Sequence, residues 1–399
     1  MATNMPADTA ALPNMRGVRR LLVLACAIVF VDTTFYAAVT PLLPHFRDEF
    51  GLSKSAAGVL AGAYPAGTFV GAIPGGYLAA KLGVRATVLL GLLLMIVASV
   101  AFAFADSIVV LDAARFVQGI GGAASWAGAL AWVAGAAPRD RRGEMIGTTI
   151  GAAVAGALAG PAVGTLADAV GIAPTFCGVA VVGMLLGAWA LSTPPAVPEG
   201  TSSPRALLAA VRDGRVAAGM WLIAVPGLLF GTVGVLAPLR LDDLGVGAGA
   251  IGAAWLGAAL LESGVSPVVG RVSDRRGRLF PCLIGLAAGA LAMLVFPWPD
   301  RPWQLIALVI LAAPSIGMLW APSMALVSDG AEALGIAQGF AFALTNLGWS
   351  IGQTAGSAAS ARLADATNDA VPYLMLSGVC LLTLLVLARA RRRTTISLT

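Results

Sequence analysis

The chain is poor in charge. Of its 399 residues, 11% are Asp, Glu, Lys or Arg, against about 25% in a soluble domain. So few charges cannot cover a soluble globule of this size, which excludes an ordinary cytosolic enzyme. Histidine occurs once, as His45, so a multi-histidine metal centre is excluded and no metal is expected. Cys26, Cys177, Cys282 and Cys380 stand singly in separate apolar stretches with no CxxC pair. A disulfide framework is thereby excluded. The phosphate-binding pattern GxxxxGK[ST] is missing, which argues against a chain that hydrolyses its own ATP. No nucleophile–base pair is evident and no histidine lies in an apolar run, so no enzyme activity and no cofactor are expected.

What the chain has is apolar surface. Hydrophobic residues reach 58% and mean hydropathy is +0.88. An isoelectric point near 9.4 suits nucleic acid at first sight. The positive charge, however, falls in short clusters between apolar runs, the pattern that orients membrane proteins. The lipid bilayer is therefore the expected partner, and nucleic acid is not. A bilayer core needs about 20 apolar residues per helix. Candidate spans are 21–43, 55–79, 86–105, 107–136, 145–167, 173–192, 216–239, 250–269, 280–298, 302–328, 334–361 and 370–388. The first is read as an uncleaved helix. If the N-terminus is cytoplasmic, the inner segments carry nineteen Lys and Arg and the outer ones five. That asymmetry predicts a multi-pass cell-membrane protein with both termini inside.

The halves repeat. Pro44 and Pro238, Gly51 and Gly245, Gly76 and Gly270, Lys81 and Arg275, Gly83 and Gly277, and Trp126 and Trp320 are each 194 residues apart. The expected fold is an all-α membrane protein, with twelve transmembrane helices in two six-helix bundles related by a pseudo-two-fold. The expected organisation is a cytoplasmic tail (1–20), an N-terminal bundle (21–192), a Pro-rich cytoplasmic linker (193–215), a C-terminal bundle (216–388) and a second tail (389–399). Parallel repeats place a substrate site at the midplane between halves that rock to open each side in turn.

A charge at membrane depth is costly and calls for a reason. Asp32 lies eleven residues past Leu21, roughly 16 Å into the span at 1.5 Å per residue. No opposite charge shares its helix at that depth. Burial in low dielectric disfavours its charged form, which suits reversible protonation. Glu262 lies at similar depth in the eighth span and is a second proton candidate. Its alternative is a protonated carboxyl bonded to a neighbouring helix. Arg115 in the fourth span has Asp112 one turn before it and Gln118 one turn after. Pairing with Asp112 and a role in coupling both remain open. Gln338, Asn346, Trp349 and Gln353 share a helical face in the eleventh span and, with Trp126 and Trp320, are candidates to line the substrate cavity. Spans 3, 6, 9 and 12 carry no charge and are expected to face lipid.

These features and four motifs resemble the major facilitator superfamily, and within it the twelve-helix drug:proton antiporters. The family's loop motif is matched by Gly270-Arg271-Val272-Ser273-Asp274-Arg275-Arg276-Gly277-Arg278. The first copy, with Gly76, Lys81, Gly83 and Arg85, has Ala80 in place of the Asp. The resemblance implies gating by Asp274, Arg275, Arg278, Gly76, Gly83, Gly270 and Gly277, with the latch confined to the second copy. Arg115-Phe116-Val117-Gln118-Gly119-Ile120-Gly121 is similar to the motif associated with proton coupling. Gly147, Gly156, Gly160-Pro161 and Gly164 are similar to the antiporter motif of the fifth span, except that Thr165 stands where the family continues with Gly. Asp32, Pro41 and Pro44 resemble the vesicular amine transporters, which implies contact between Asp32 and a cationic substrate. The implied function is proton-coupled export of a small amphipathic or cationic molecule by a monomer. A proton-coupled importer or uniporter of sugars or other metabolites is the nearest rival, and a non-transporting membrane sensor a remote one.

Overall fold

The computed structural model describes residues 15–138, 141–194, 204–336 and 338–396. Its regular elements are all helical. The first span is α1 (Met15–Ala38), a 3-10 turn (Thr40–Leu42) and α2 (Leu43–Phe50). Pro41 and Pro44 are the second residues of the turn and of α2, within the first turn, where a missing N–H costs nothing. Next come α3 (Lys54–Lys81), α4 (Val84–Ala103), α5 (Ile108–Ala136), α6 (Arg142–Val170) and α7 (Ile172–Leu191). After the short α8 (Pro204–Arg212), the second half holds α9 (Gly214–Asp243), α10 (Ala248–Arg276), α11 (Leu279–Val295), α12 (Pro302–Gly317) and α13 (Trp320–Ala333). It ends with α14 (Gln338–Thr354), a π-helical segment (Ala355–Ala359), α15 (Ser360–Ala366) and α16 (Ala370–Ile396). Ten of the described stretches are long and apolar enough to cross a membrane on their own. The shorter α11 and the α14–α15 run complete twelve crossings in two six-helix bundles.

Three boundaries differ from the sequence reading. The tenth span breaks between α12 and α13, after Pro314 and Gly317. α1 begins at Met15, inside the expected tail. The expected linker contains α8, whose Leu207 and Ala210 are buried with Val216, Ile223 and Val327; an apolar face with somewhere to pack stays helical.

The repeat is visible in backbone geometry. Gly51 and Gly245, at φ +62° and +82°, turn the chain on one side of the molecule. Gly83 and Gly277, at φ +89° and +84°, turn it on the other. Only glycine enters these regions without strain. Packing repeats as well. A Cβ on Gly156, Gly160 or Gly164 of α6 would stand 2.2–2.4 Å from atoms of Phe30, Ala37 and Ala38 on α1. In the second half, a Cβ on Gly352 of α14 or on Gly356 of the π-helical segment would stand 2.0 and 2.3 Å from the carbonyls of Ala224 and Leu228 on α9. Thr34 on α1 donates to the Gly156 carbonyl, and Thr232 on α9 to the Gly356 carbonyl, each at 3.1 Å. The first and fifth spans thus pack as the seventh and eleventh do. The antiporter-type motif here is a glycine stripe for close helix approach. Gly147 falls outside that contact, with nothing within 4 Å of its Cβ position. Large apolar side chains such as Leu93, Leu185, Leu291 and Leu382 project outward from α4, α7, α11 and α16, the charge-free spans.

The halves meet along α3–α14 and α6–α10. A Cβ on Gly252 of α10 would lie 2.1 Å from Thr165 Oγ1, so the residue that departs from the family pattern touches the opposite half. Ion pairs across the halves lie on the side where α2 ends. Arg47 binds Asp242 and, at 2.9 Å, Asp243. Lys54 binds Asp369 at 2.5 Å. On the other side, where α1 begins and α16 ends, the ion pairs between described residues, Arg141–Glu144 and Arg278–Asp329, each stay within one half.

Candidate functional site

Gly67 and Gly119 let α3 and α5 touch backbone to backbone. A Cβ on either would fall 1.9–2.0 Å from a carbonyl oxygen of the other helix. This approach carries Tyr64 of α3 to Asp32 of α1. Asp32 is 1% exposed. Its Oδ2 accepts hydrogen bonds from the Tyr64 hydroxyl at 2.7 Å and the Trp126 indole N–H at 3.1 Å. Its Oδ1 is buried with no partner among the described residues. Such an orphan oxygen is expensive in a low-dielectric interior. Room for the group comes from Gly122 of α5, whose Cβ position lies 2.6 Å from the Tyr64 hydroxyl and 2.9 and 3.0 Å from the two Asp32 oxygens.

Arg115 is equally buried, at 1% exposure. It donates to Gln118 Oε1 at 2.6 Å and to the Tyr36 carbonyl at 3.2 Å. No ion pair joins it to Asp112 or to Asp32 among the described residues. Its guanidinium instead lies 5.1, 5.7 and 5.9 Å from the ring centres of Tyr64, Tyr36 and Phe35, within cation–π range. Asp112 Oδ1 is buried with no hydrogen-bond partner among the described residues.

Trp349 reaches this cluster from the second half. Its ring centre is 5.5 Å from Tyr36 and 6.4 Å from Tyr64, edge to face, while the two tyrosines lie 4.7 Å apart. Gln353, one turn on, is buried beside the Tyr36 hydroxyl. Of the residues singled out in sequence, Asp32, Arg115, Gln118, Trp126, Trp349 and Gln353 therefore gather in one place. Asn346 is half-buried on the same helix as Trp349. Trp320, the repeat mate of Trp126, instead stacks on Phe230 at 6.3 Å. Glu262 lies over Gly317, at the break between α12 and α13, with its Oε1 2.5 Å from the Cβ position there. The Gln338 and Asp274 side chains lie outside the described residues. Arg278 holds Asp329 at 2.6 Å, while Arg275 is exposed. Gly76 lies 3.4 Å, measured from its Cβ position, from the Phe340 ring of the second half, whereas Gly270 meets nothing within 4 Å.

Sequence reasoning missed Tyr36, Tyr64 and Gly122. Tyrosine is scarce, with four in the chain, and two of them in consecutive membrane spans is the signal that was available.

The model of the Major Facilitator Superfamily matches residues 25–353. The chain belongs to the Major Facilitator Superfamily. Among relatives of this facilitator is the MFS-type transporter ppzB of Metarhizium rileyi, 34% identical over 39% of this chain and 33% of that protein. Another is the synaptic vesicular amine transporter of Homo sapiens, 25% identical over 75% of this chain and 59% of that protein. The chain thus aligns with a third to three-fifths of these relatives' length. Solved structures of the same fold include the xylose transporter XylE from E. coli, at TM-score 0.75 and 15% identity over 94% of this chain and 98% of that one. A peptide transporter POT gives TM-score 0.75 and 15% identity over 96% and 99%. At such identity they establish the fold alone. This facilitator is a multi-pass membrane protein with a secondary-transport fold.

Proposed function

We propose that this facilitator is a proton-coupled antiporter that exports a small organic cation by alternating access between its two halves. The observation that carries the reading is the buried Asp32 carboxylate, with one oxygen bonded twice and the other free, inside aromatic walls from both halves. Aromatic faces beside a carboxylate favour an amine or lipophilic cation over a sugar, because each ring adds cation–π attraction. A proton and a cation compete for the same free oxygen. Protonation releases the cation and deprotonation restores the site, so one group suffices for antiport. Arg115 keeps net positive charge nearby and prevents the carboxylate from holding a cation too tightly. Both termini are assigned to the cytoplasm. Arg47, Lys54 and their partners then close the outer side, and Asp274, Arg275 and Arg278 act in closing the inner one. Glu262 is the reserve proton carrier, and the working unit is a monomer.

The test is reconstitution into proteoliposomes with an internal pH dye, under an imposed pH gradient, screened against amines, lipophilic cations, sugars and peptides. Amine-dependent proton efflux from acidified vesicles, lost in Asp32→Asn, supports the reading. Sugar-coupled proton movement in the same direction as the sugar would replace it with symport. Asp32→Asn transport at the wild-type rate would move the proton role to Glu262.

A further inference from the structure

We infer that Tyr64 is the positioning residue that passes the state of Asp32 to the opposite half, through Trp349. The inference rests on the reading of Asp32 as the group that exchanges proton and cation.

Tyr64 is placed to do two things at once. Its hydroxyl donates to Asp32 Oδ2 at 2.7 Å. Its ring lies under the Arg115 guanidinium at 5.1 Å, against Tyr36 at 4.7 Å, and edge to face with Trp349 at 6.4 Å. The side chain is 5% exposed, and turning it would displace these neighbours. A charged carboxylate holds the hydroxyl with a strong, charge-assisted bond; a neutral carboxyl holds it weakly. A change of charge at Asp32 therefore changes the pull on the hydroxyl, and the ring carries the displacement to Trp349. Trp349 stands on α14 of the second half, three residues before Gly352, whose Cβ position is 2.0 Å from the Ala224 carbonyl of α9. Contact this tight leaves α14 no slack, so movement at Trp349 moves α9 with it. Trp126 also donates to Asp32 Oδ2, but its indole makes no ring contact with the second half among the described residues. Transmission is thus assigned to Tyr64 and anchoring of the carboxylate to Trp126.

The other charged or titratable groups around Asp32 are few. On its own helix there are Tyr36 and Cys26, with Arg16, Arg19 and Arg20 in its first two turns; α3 adds, besides Tyr64, Lys54, Tyr77 and Lys81 toward its ends; and on α5 there are Arg115 and Asp112. α14 carries no charged residue, α7 offers only Cys177, and those of α6, namely Arg142, Glu144 and Asp168, stand near its ends.

The experiment measures the distance between spin labels at positions 106 and 300, in the full chain with its four native cysteines replaced, in lipid nanodiscs across a pH series. Both positions are exposed, one in each half, on the side closed by Arg47. The parent protein is expected to change its distance distribution with pH, and Asp32→Asn to lose the change. Tyr64→Phe keeps the ring and removes the donor, so it is expected to reduce the amplitude, because nothing then pulls on the ring, and to move the midpoint of the remaining response toward alkaline pH by about tenfold in proton concentration. Trp349→Leu is expected to keep the parent midpoint and reduce the amplitude. If Asp32→Asn abolishes the response while Tyr64→Phe and Trp349→Leu both match the parent, the role of Tyr64 is refuted and the reading of Asp32 stands. If the parent does not respond to pH, or Asp32→Asn responds as the parent does, the reading falls and the inference with it.

Discussion

Gly122→Ala adds one methyl group where α5 faces Asp32. The new Cβ would lie 2.6 Å from the Tyr64 hydroxyl, against 3.4 Å or more for ordinary contact. The hydroxyl must retreat by about 0.8 Å, which stretches its 2.7 Å bond to Asp32 to the limit of hydrogen bonding. A hydrogen bond to a charged group contributes about 1.5–3 kcal/mol, or about ten- to a hundredfold in an equilibrium. The same methyl would stand 2.9 Å from Oδ1, the oxygen assigned to the cation. The backbone gains, because alanine is favoured over glycine inside a helix by about 1 kcal/mol. Gly119→Ala is the contrast. Its Cβ would strike the Tyr64 carbonyl at 1.9 Å, which a side-chain rotation cannot relieve. Overpacking of that kind costs about 1–3 kcal/mol. Thermal unfolding in detergent and pH-driven cation flux in proteoliposomes should therefore separate the two. Gly122→Ala should unfold at or slightly below the wild-type temperature, because the helix gain offsets part of the lost hydrogen bond, while flux falls at least tenfold; Gly119→Ala should lose more stability than that. Wild-type flux in Gly122→Ala, or destabilisation equal to that of Gly119→Ala, would refute the reasoning.

The glycine stripes give a second pair of outcomes. Gly156→Ala and Gly352→Ala should each lower the unfolding temperature through the same overpacking, whereas Gly187→Ala, with nothing within 4 Å of its Cβ position, should leave it unchanged or raise it. Arg47→Ala should open the side closed by Asp242 and Asp243. Partly exposed ion pairs contribute about 0.2–1 kcal/mol each, and Arg47 makes two of them across the halves, so the closed-to-open ratio should fall by no more than about thirtyfold, with raised salt weakening the wild-type clasp in the same direction. An unchanged distance between labels at positions 106 and 300 would count against that clasp. Gly317→Ala should displace Glu262 from the break after α12. If pH-driven flux then stays normal while Asp32→Asn remains inactive, Glu262 has no share in coupling.

Much of the architecture was legible in the sequence because the bilayer enforces it. A segment in hydrocarbon must satisfy its own backbone hydrogen bonds, so a long apolar run is a helix. The run count, the 194-residue offset and the loop glycines then dictate two six-helix halves. The left-handed Gly51, Gly83, Gly245 and Gly277 are the physical content of that offset. Asp32 and Arg115 were legible as well, because a charge at membrane depth carries a cost that only an interior site repays.

What the sequence could not decide was which polar groups meet. Arg115 has Asp112 and Gln118 on either side of it along the helix, and local spacing favours neither. Tertiary packing chose Gln118 and the rings of Phe35, Tyr36 and Tyr64. Trp126 and Trp320 are equivalent in the repeat, yet one bonds Asp32 and the other stacks on Phe230. Asp32 has no counterpart in the second half, where Pro226 stands 194 residues on. Gly122 reads as one more small residue in a glycine-rich helix until Tyr64 and Asp32 are seen to occupy its missing side chain. Periodicity fixes how each helix lies in the membrane. Contacts between helices depend on approach distances set by single glycines far apart in the chain, and only the folded protein brings those together.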